Sequence, residues 1–421
     1  MNAPGNAFKS LPDWSGLLDR ESHVHCLFDR RAEGATLLAL GADAQLRIEQ
    51  EGEETLDAVQ AFLDEHAGEW VFAALGYDLK NSIEALATHR PDGLGFPVVS
   101  LVVPRVVVRW GAGGPEVLKG EGDEVVEALL AAERGEEPEA PGLNMRPRWD
   151  EATYAQRWGR VQRHLRRGDI YEMNLCMTWT GEGELARPWD VFRRLERRTQ
   201  APFSAFVRVH ECYAMSGSPE RFLKREGERL KSEPIKGTAR RGADAREDAD
   251  LAYALQNDPK ERAENIMICD LVRNDLSRVA QRGTVHVEEL CGIHSFETVH
   301  QMISTVTCEV RPDASFTDIL RATFPMGSMT GAPKIRAMEI IDELEANRRG
   351  WYSGAIGYLA PNGDFDFNVV IRTLLHNALT GKTSFQVGGA ITAASTAEGE
   401  YAECLLKARA LLDTLGSDAP R

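Results

Sequence analysis

From Trp149 onward, helix-like and strand-like segments follow one another without the regular strand–helix–strand alternation that builds a parallel sheet. That irregular order predicts an α+β arrangement with largely antiparallel sheets. Tyr154, Trp158, Val161 and Leu165 recur at helical spacing, and Gly168 marks where that helix should stop. IYEMNLCMTWTG then reads as a strand. Upstream, FPVVSLVVPRVVVRW (96–110) is rich in β-branched residues and broken by Pro97 and Pro104, which reads as strands. Residues 120–147 turn acidic and then rich in Pro and Gly, with a short helix at VVEALLAA, and form the candidate linker. The expected division is an N-terminal α/β region, 1–146, ending in that linker, and a second region, 147–415.

The formal net charge of −16 argues against a nucleic-acid or anionic-membrane partner. An anionic substrate would need local positive charge. The seven cysteines (Cys26, Cys176, Cys212, Cys269, Cys291, Cys308 and Cys404) are odd in number and lack metal-ligand spacing, so they read as free thiols in a reducing compartment. MNAPGNAFKSLPDW has no charged stretch followed by an apolar one, so no signal peptide is visible. No run approaches about 20 apolar residues. A cytoplasmic location is the expectation.

Four constellations carry chemistry. In SGSPERFLKREGERLKSEPIKGTARRG (216–242), RFLKRE and RLKSEP flank a turn at Gly227. A hairpin centred near Glu228 places Glu220 opposite Lys236, an acid and an amine at one open end. A rim ion pair of little worth is the alternative. The following GTARRG supplies a hydroxyl and two guanidiniums, which suit an anion.

The second constellation is two carboxylate pairs, Glu261 with Glu264 and Glu400 with Glu403, on two expected helices. The second helix opens with a capping-box pattern, Ser395 and Glu398. Spacing of three puts each pair on one helix face. If the two faces converge, a hard cation such as Mg²⁺ relieves their repulsion. If they do not, Lys260–Glu264 and Glu403–Lys407 are ordinary i,i+4 pairs.

In the third, FPMGSMTGAPKIRAMEIIDELE, a loop with Gly327, Ser328, Thr330 and Gly331 enters a helix with Pro333 at its first position. Such a start attracts anions, yet Lys334 opposes the helix dipole there. The GxxxxGK[ST] spacing is missing, which excludes a phosphate loop. The fourth is the set of strand-like runs WYSGAIGYL, FNVVIRTL and FQVGGAIT, carrying Tyr352, Arg372 and Gly388–Gly389. Paired glycines in a strand mark a close backbone approach. An Arg in an apolar strand needs an anionic partner.

Together, in this order, these motifs resemble the chorismate-binding enzyme family. The resemblance is dense over about 150–413 and weak before it. It implies a large fold of two packed, antiparallel-rich sheets with helices outside, like that of anthranilate synthase component I. It implies that Glu264 and Glu403 bind Mg²⁺ directly, with Glu261 and Glu400 holding its waters, and that the metal grips the ring carboxylate of chorismate. Tyr352, Arg372, the Gly388–Gly389 backbone and Lys407 match the carboxylate-binding set. Thr238, His300 and Ser328 match further active-site positions. Glu220 matches the general acid near the C4 hydroxyl.

Within the family, PIKGT at Lys236 resembles the aminodeoxychorismate synthases, where anthranilate synthases read PIAGT. That implies attack of the Lys236 amine on C2, then displacement by ammonia at C4, on the route to p-aminobenzoate and folate. A neutral amine is required, so the pocket is expected to lower the lysine pKa. Ammonia is expected from a separate glutamine amidotransferase subunit, since the chain lacks a GxCxG nucleophile motif and Cys291 in ELCGIHSF is the nearest approach. Two residues depart from the pattern. Glu172 stands where aminating members usually carry Gln and water-adding members Lys, and Ala390 replaces a third glycine. The alternatives are anthranilate synthase component I chemistry and a non-catalytic chorismate-binding scaffold.

Overall fold

The computed structural model describes residues 11–29, 35–111, 113–133 and 135–418. Residues 1–10, on which much of the signal-peptide reading rests, lie outside them. Among the described residues, two antiparallel sheets of eleven and ten strands dominate the chain, with helices packed around them. This is the α+β class that the irregular element order predicts.

Period-two alternation explains the layering. On strand Phe203–Val209, Ala205, Val207 and Val209 join a core built from residues of both sheets, while Phe206 faces a second core against helices. On strand Glu172–Glu182, Met173, Leu175, Met177 and Trp179 face the helices and Cys176 faces the shared core. Glu172 and Asn174 share the parity of Cys176 and so lie on the inner face. The helical side is closed by Pro188–Thr199 and Ala397–Leu415, whose Trp189, Phe192, Leu195, Ala408 and Leu411 are buried.

Strands from either side of residue 147 pair within both sheets. His23–Asp29 lies beside Phe203–Val209 in one, and Val71–Leu75 beside Ala355–Leu359 in the other. Residues 1–146 and 147–415 therefore do not form separate layers. The run 96–110 gives two strands, Val99–Val103 and Val106–Gly111, parted at Pro104, and each joins a different sheet. The acidic stretch contains the expected short helix, Asp123–Ala131. Its Pro-rich continuation is not a free tether. Glu137 pairs with Arg198 at 2.5 Å, Arg194 donates to the Pro138 carbonyl, and Leu143 N–H donates to Leu415 at 3.1 Å.

The helix expected around Tyr154 spans Glu151–Arg167, started by the Asp150 carboxylate on Thr153 N–H and ended by Gly168 at φ 77°. The last helix departs from the expected capping box. It spans Ala397–Leu415, and Thr396, not Ser395, accepts from Gly399 N–H. Ser395 instead bonds back to Thr392. Similarly Pro333 sits just before helix Lys334–Leu344 rather than inside it. All seven cysteines are buried free thiols. No described helix is long and apolar enough to cross a membrane.

Candidate active site

The hairpin expected at Gly227 exists, but it is short. Arg221–Glu226 pairs with Arg229–Ser232, Lys224 opposite Lys231. After Ser232 the chain leaves its partner, and Ile235–Arg240 runs along Val299–Glu309 with an irregular register. Glu220 and Lys236 are therefore not cross-strand neighbours. Lys236 instead reaches across to the other sheet, where its Nζ donates to Glu172 Oε1 at 2.7 Å. The Glu172 side chain is 1% exposed and that of Lys236 11%.

This contact sets the electrostatics of Lys236. Burial does push its pKa down, but Glu172, with Glu264 and Glu220 behind it, outweighs burial and holds the ammonium above its ordinary value. Glu220 goes the other way. Burial raises it to about 7, opposed by a 2.6 Å hydrogen bond from Ser328 Oγ and by the Lys236 charge. A carboxyl that titrates near neutrality, in the field of the Lys236 charge, suits general-acid chemistry. Ser328 sits in the turn Gly327–Met329, so the third constellation enters the site through a hydroxyl. Lys334 does not. It pairs with the buried Asp275 and the Thr323 carbonyl, which accounts for its place against the helix dipole.

The two carboxylate pairs converge from helices Pro259–Ser277 and Ala397–Leu415. Lys260 feels all four charges, Glu264 first, then Glu400, Glu261 and Glu403. Burial raises Glu264 to about 7 and also raises Glu261 and Glu400. Glu403 is the exception. Burial pushes it up, but Lys407, 2.6 Å away, brings it below its ordinary value. Glu264 Oε1 and Glu400 Oε2 are buried without a hydrogen-bond partner. Among the described residues no three such groups close into a ready metal cage. Carboxylate oxygens from two helices that accept no hydrogen bond, Glu264 Oε1 having only the Lys260 ammonium at 3.8 Å, nevertheless fit a hard divalent cation that keeps several waters.

The glycine pair lies tight against its protein neighbours. A Cβ on Gly388 would lie 2.4 Å from Leu175 O, and one on Gly389 2.5 Å from Glu400 Oε2. The close approach is to the neighbouring strand and to the carboxylates. The Gly388 carbonyl accepts from Lys407 at 2.7 Å. Tyr352 is buried with its hydroxyl 3.5 Å from Cys176 Sγ. Arg372 is half-buried at φ 51°, a strained position for a non-glycine residue. Among the described residues its guanidinium has no carboxylate in ion-pair contact, and burial lowers its pKa, partly offset by Tyr352 and Glu403. A half-buried guanidinium with no carboxylate partner can take an anion. Thr238 is exposed on its strand. His300 is buried but occupied, between Ser295 Oγ at 2.8 Å and Asp248 Oδ1 at 2.9 Å, and so braces the segment after Lys236.

A model of chorismate binding enzymes matches residues 23–413. The chain belongs to the chorismate-binding enzyme family, and it is an enzyme acting on chorismate. It is 39% identical over 347 residues to aminodeoxychorismate synthase component 1 of Klebsiella aerogenes, covering 81% of this chain and 76% of that one. It is 38% identical over 349 residues to anthranilate synthase component 1 of Thermus thermophilus, covering 80% and 75%. The crystal structure of anthranilate synthase component I from Streptococcus pneumoniae superposes with a TM-score of 0.77 at 26% identity, covering 89% of this chain and 91% of that one. The fold is thus confirmed, and the relatives named aminodeoxychorismate synthase component 1 match at 39–45% identity.

Sequence reasoning named Glu172 without a role and missed its contact with Lys236. It also missed the buried pair Glu345–Arg349, 2.6 Å apart, which braces the same strand. A spacing of four flags that pair, but burial is invisible in it.

Proposed function

We propose that this enzyme aminates chorismate at C4 with ammonia, giving 4-amino-4-deoxychorismate for p-aminobenzoate and folate synthesis, through covalent attachment of the substrate to Lys236. The observation that carries the reading is a buried lysine at the inner face of the sheets, within the field of Glu220, a carboxyl raised to about 7. In this reading Lys236 attacks C2 while Glu220 gives its proton to the departing C4 hydroxyl. Arg372, Tyr352 and Lys407 take the substrate carboxylates. Glu264 and Glu403, with Glu261 and Glu400 outside them, hold Mg²⁺, which supplies charge compensation for the ring carboxylate. Ammonia comes from a separate glutamine amidotransferase. Relatives carrying the name component 1 are consistent with a second component.

The competing reading is anthranilate formation, favoured by the nearly equal identity to the Thermus thermophilus protein. Incubation with chorismate, Mg²⁺ and ammonium separates the two by product. Intact-mass measurement without ammonium should reveal an adduct of chorismate less one water, absent from Lys236→Ala. Aminodeoxychorismate formed by Lys236→Ala at the wild-type rate would overturn the covalent role.

A further inference from the structure

Lys236 lies where its strand departs from regular pairing. Ile235 pairs with Ile303 and Thr238 with Gln301, so Lys236 and Gly237 together stand opposite Met302. This is a β-bulge, with Gly237 at φ 92°. A bulge takes backbone groups off the ladder and re-aims a side chain. The buried Asn265, on helix Pro259–Ser277, spans it. Its Nδ2 donates to the Met302 carbonyl at 3.0 Å and to the Lys236 carbonyl at 3.4 Å. Two amide hydrogens thus meet two carbonyls, one from each strand of the bulge. Its Oδ1 accepts from Ser304 Oγ, which in turn accepts from Cys291 N–H at 3.0 Å. Carbonyls only accept, so the amide can face the bulge only through its nitrogen.

We propose that Asn265 is a positioning residue for Lys236: it holds the bulge that aims the amine across to the other sheet. The inference rests on the covalent reading above. With the bulge held, Lys236 Nζ reaches Glu172 Oε1 on the facing sheet at 2.7 Å. Asn265 directly follows Glu264 in the sequence, so one turn of that helix sets both the backbone of the nucleophile and a carboxylate of the metal site. Asn265 acts only through the backbone of Lys236. Attack on C2 needs that placement when the bond forms, whereas substrate binding rests on Arg372, Tyr352 and Lys407. Loss of the amide therefore slows the chemistry more than it weakens binding.

Asn265→Leu keeps the volume and removes both donors. The test follows adduct formation with chorismate and Mg²⁺, without ammonium, by intact mass over a range of chorismate concentrations. Wild type should form the adduct. In Asn265→Leu the limiting rate at saturating chorismate should fall on the order of 10²-fold, the scale of a misplacement of about 1 Å, while the half-saturating concentration stays within about two-fold. Ile268→Ala opens a cavity at a fully buried position of the same helix and lowers stability without removing a contact to the bulge. It should keep the wild-type limiting rate. A wild-type limiting rate in Asn265→Leu, or an equal fall in Ile268→Ala, would overturn the positioning role and leave the covalent reading intact. Absence of an adduct in the wild type would overturn both. If Asn265→Leu fails to fold, Asn265→Ser, too short to reach either carbonyl, takes its place, and the same outcomes decide.

Discussion

Ser328→Ala tests the electrostatics of the site most directly. Ser328 Oγ donates to Glu220 Oε1 at 2.6 Å, and this bond favours the charged carboxylate against the burial that raises it to about 7. A hydrogen bond to a charged group contributes about 1.5–3 kcal/mol. At 1.36 kcal/mol per pKa unit, losing it moves Glu220 up by about 1–2 units. A general acid works only while protonated, so kcat/KM falls as pH rises through its pKa in the free enzyme. The alkaline limb near pH 7 should therefore move to about pH 8–9 in the variant. The measurement is kcat/KM for chorismate against pH at a constant concentration of free ammonia, with Glu220→Gln as the control that removes the limb. A limb that stays in place, or moves to lower pH, would refute both the acid role and the cause assigned to its shift.

Two further outcomes follow. Gly389→Ala places a Cβ against Glu400 Oε2, where the gap is 2.5 Å. It should displace that carboxylate and raise the Mg²⁺ concentration for half-activation by about 10–100-fold, the range for disturbing groups outside the metal's direct ligands; unchanged Mg²⁺ activation, or full turnover in EDTA, would remove the metal from these helices. The isolated chain should turn over with ammonium and not with glutamine, since every described cysteine is buried and burial raises the thiol of Cys291, the nearest match to a glutaminase nucleophile; glutamine-dependent turnover by the pure chain would refute this.

What the sequence made legible was local. The helix 151–167 announced itself by the spacing of Tyr154, Trp158, Val161 and Leu165, and its end by Gly168, because a 3.6-residue period and a left-handed cap are written in adjacent residues. The carboxylate pairs were legible for the same reason. The register of the hairpin was not, because a departure after Ser232 depends on the strand Val299–Glu309 waiting beside it. Nor was the Glu172–Lys236 contact, which joins two sheets across 64 positions of sequence. The direction of the Lys236 pKa depends on that contact. Desolvation alone lowers a lysine, and only the partner's position reverses the sign. Gly388 and Gly389 were read as a place where a ligand approaches the backbone, and period and composition do not show that Leu175 O and Glu400 Oε2 also lie close there.

The precision this chemistry needs is set by groups that never meet the substrate. Glu345 and Arg349 are buried and joined by two hydrogen bonds, 2.9 Å from Arg349 Nε and 2.6 Å from its second guanidinium nitrogen. Burying two charges costs free energy unless every remaining donor and acceptor is filled. Here the filling does the positioning. Glu345 accepts Cys176 N–H at 2.9 Å, and Arg349 donates to the carbonyls of Asn174 at 3.1 Å and Met329 at 2.7 Å and to Ser353 Oγ at 3.3 Å. Those four residues belong to three segments. One strand carries Glu172, one turn carries Ser328, and Ser353, at φ 62°, follows Tyr352. The same ion pair therefore fixes the carboxylate that holds Lys236 relative to the hydroxyl that holds Glu220. An apolar pair of equal volume fills the space but leaves one backbone N–H and two backbone carbonyls in the core without partners, and lets the two halves of the site move independently.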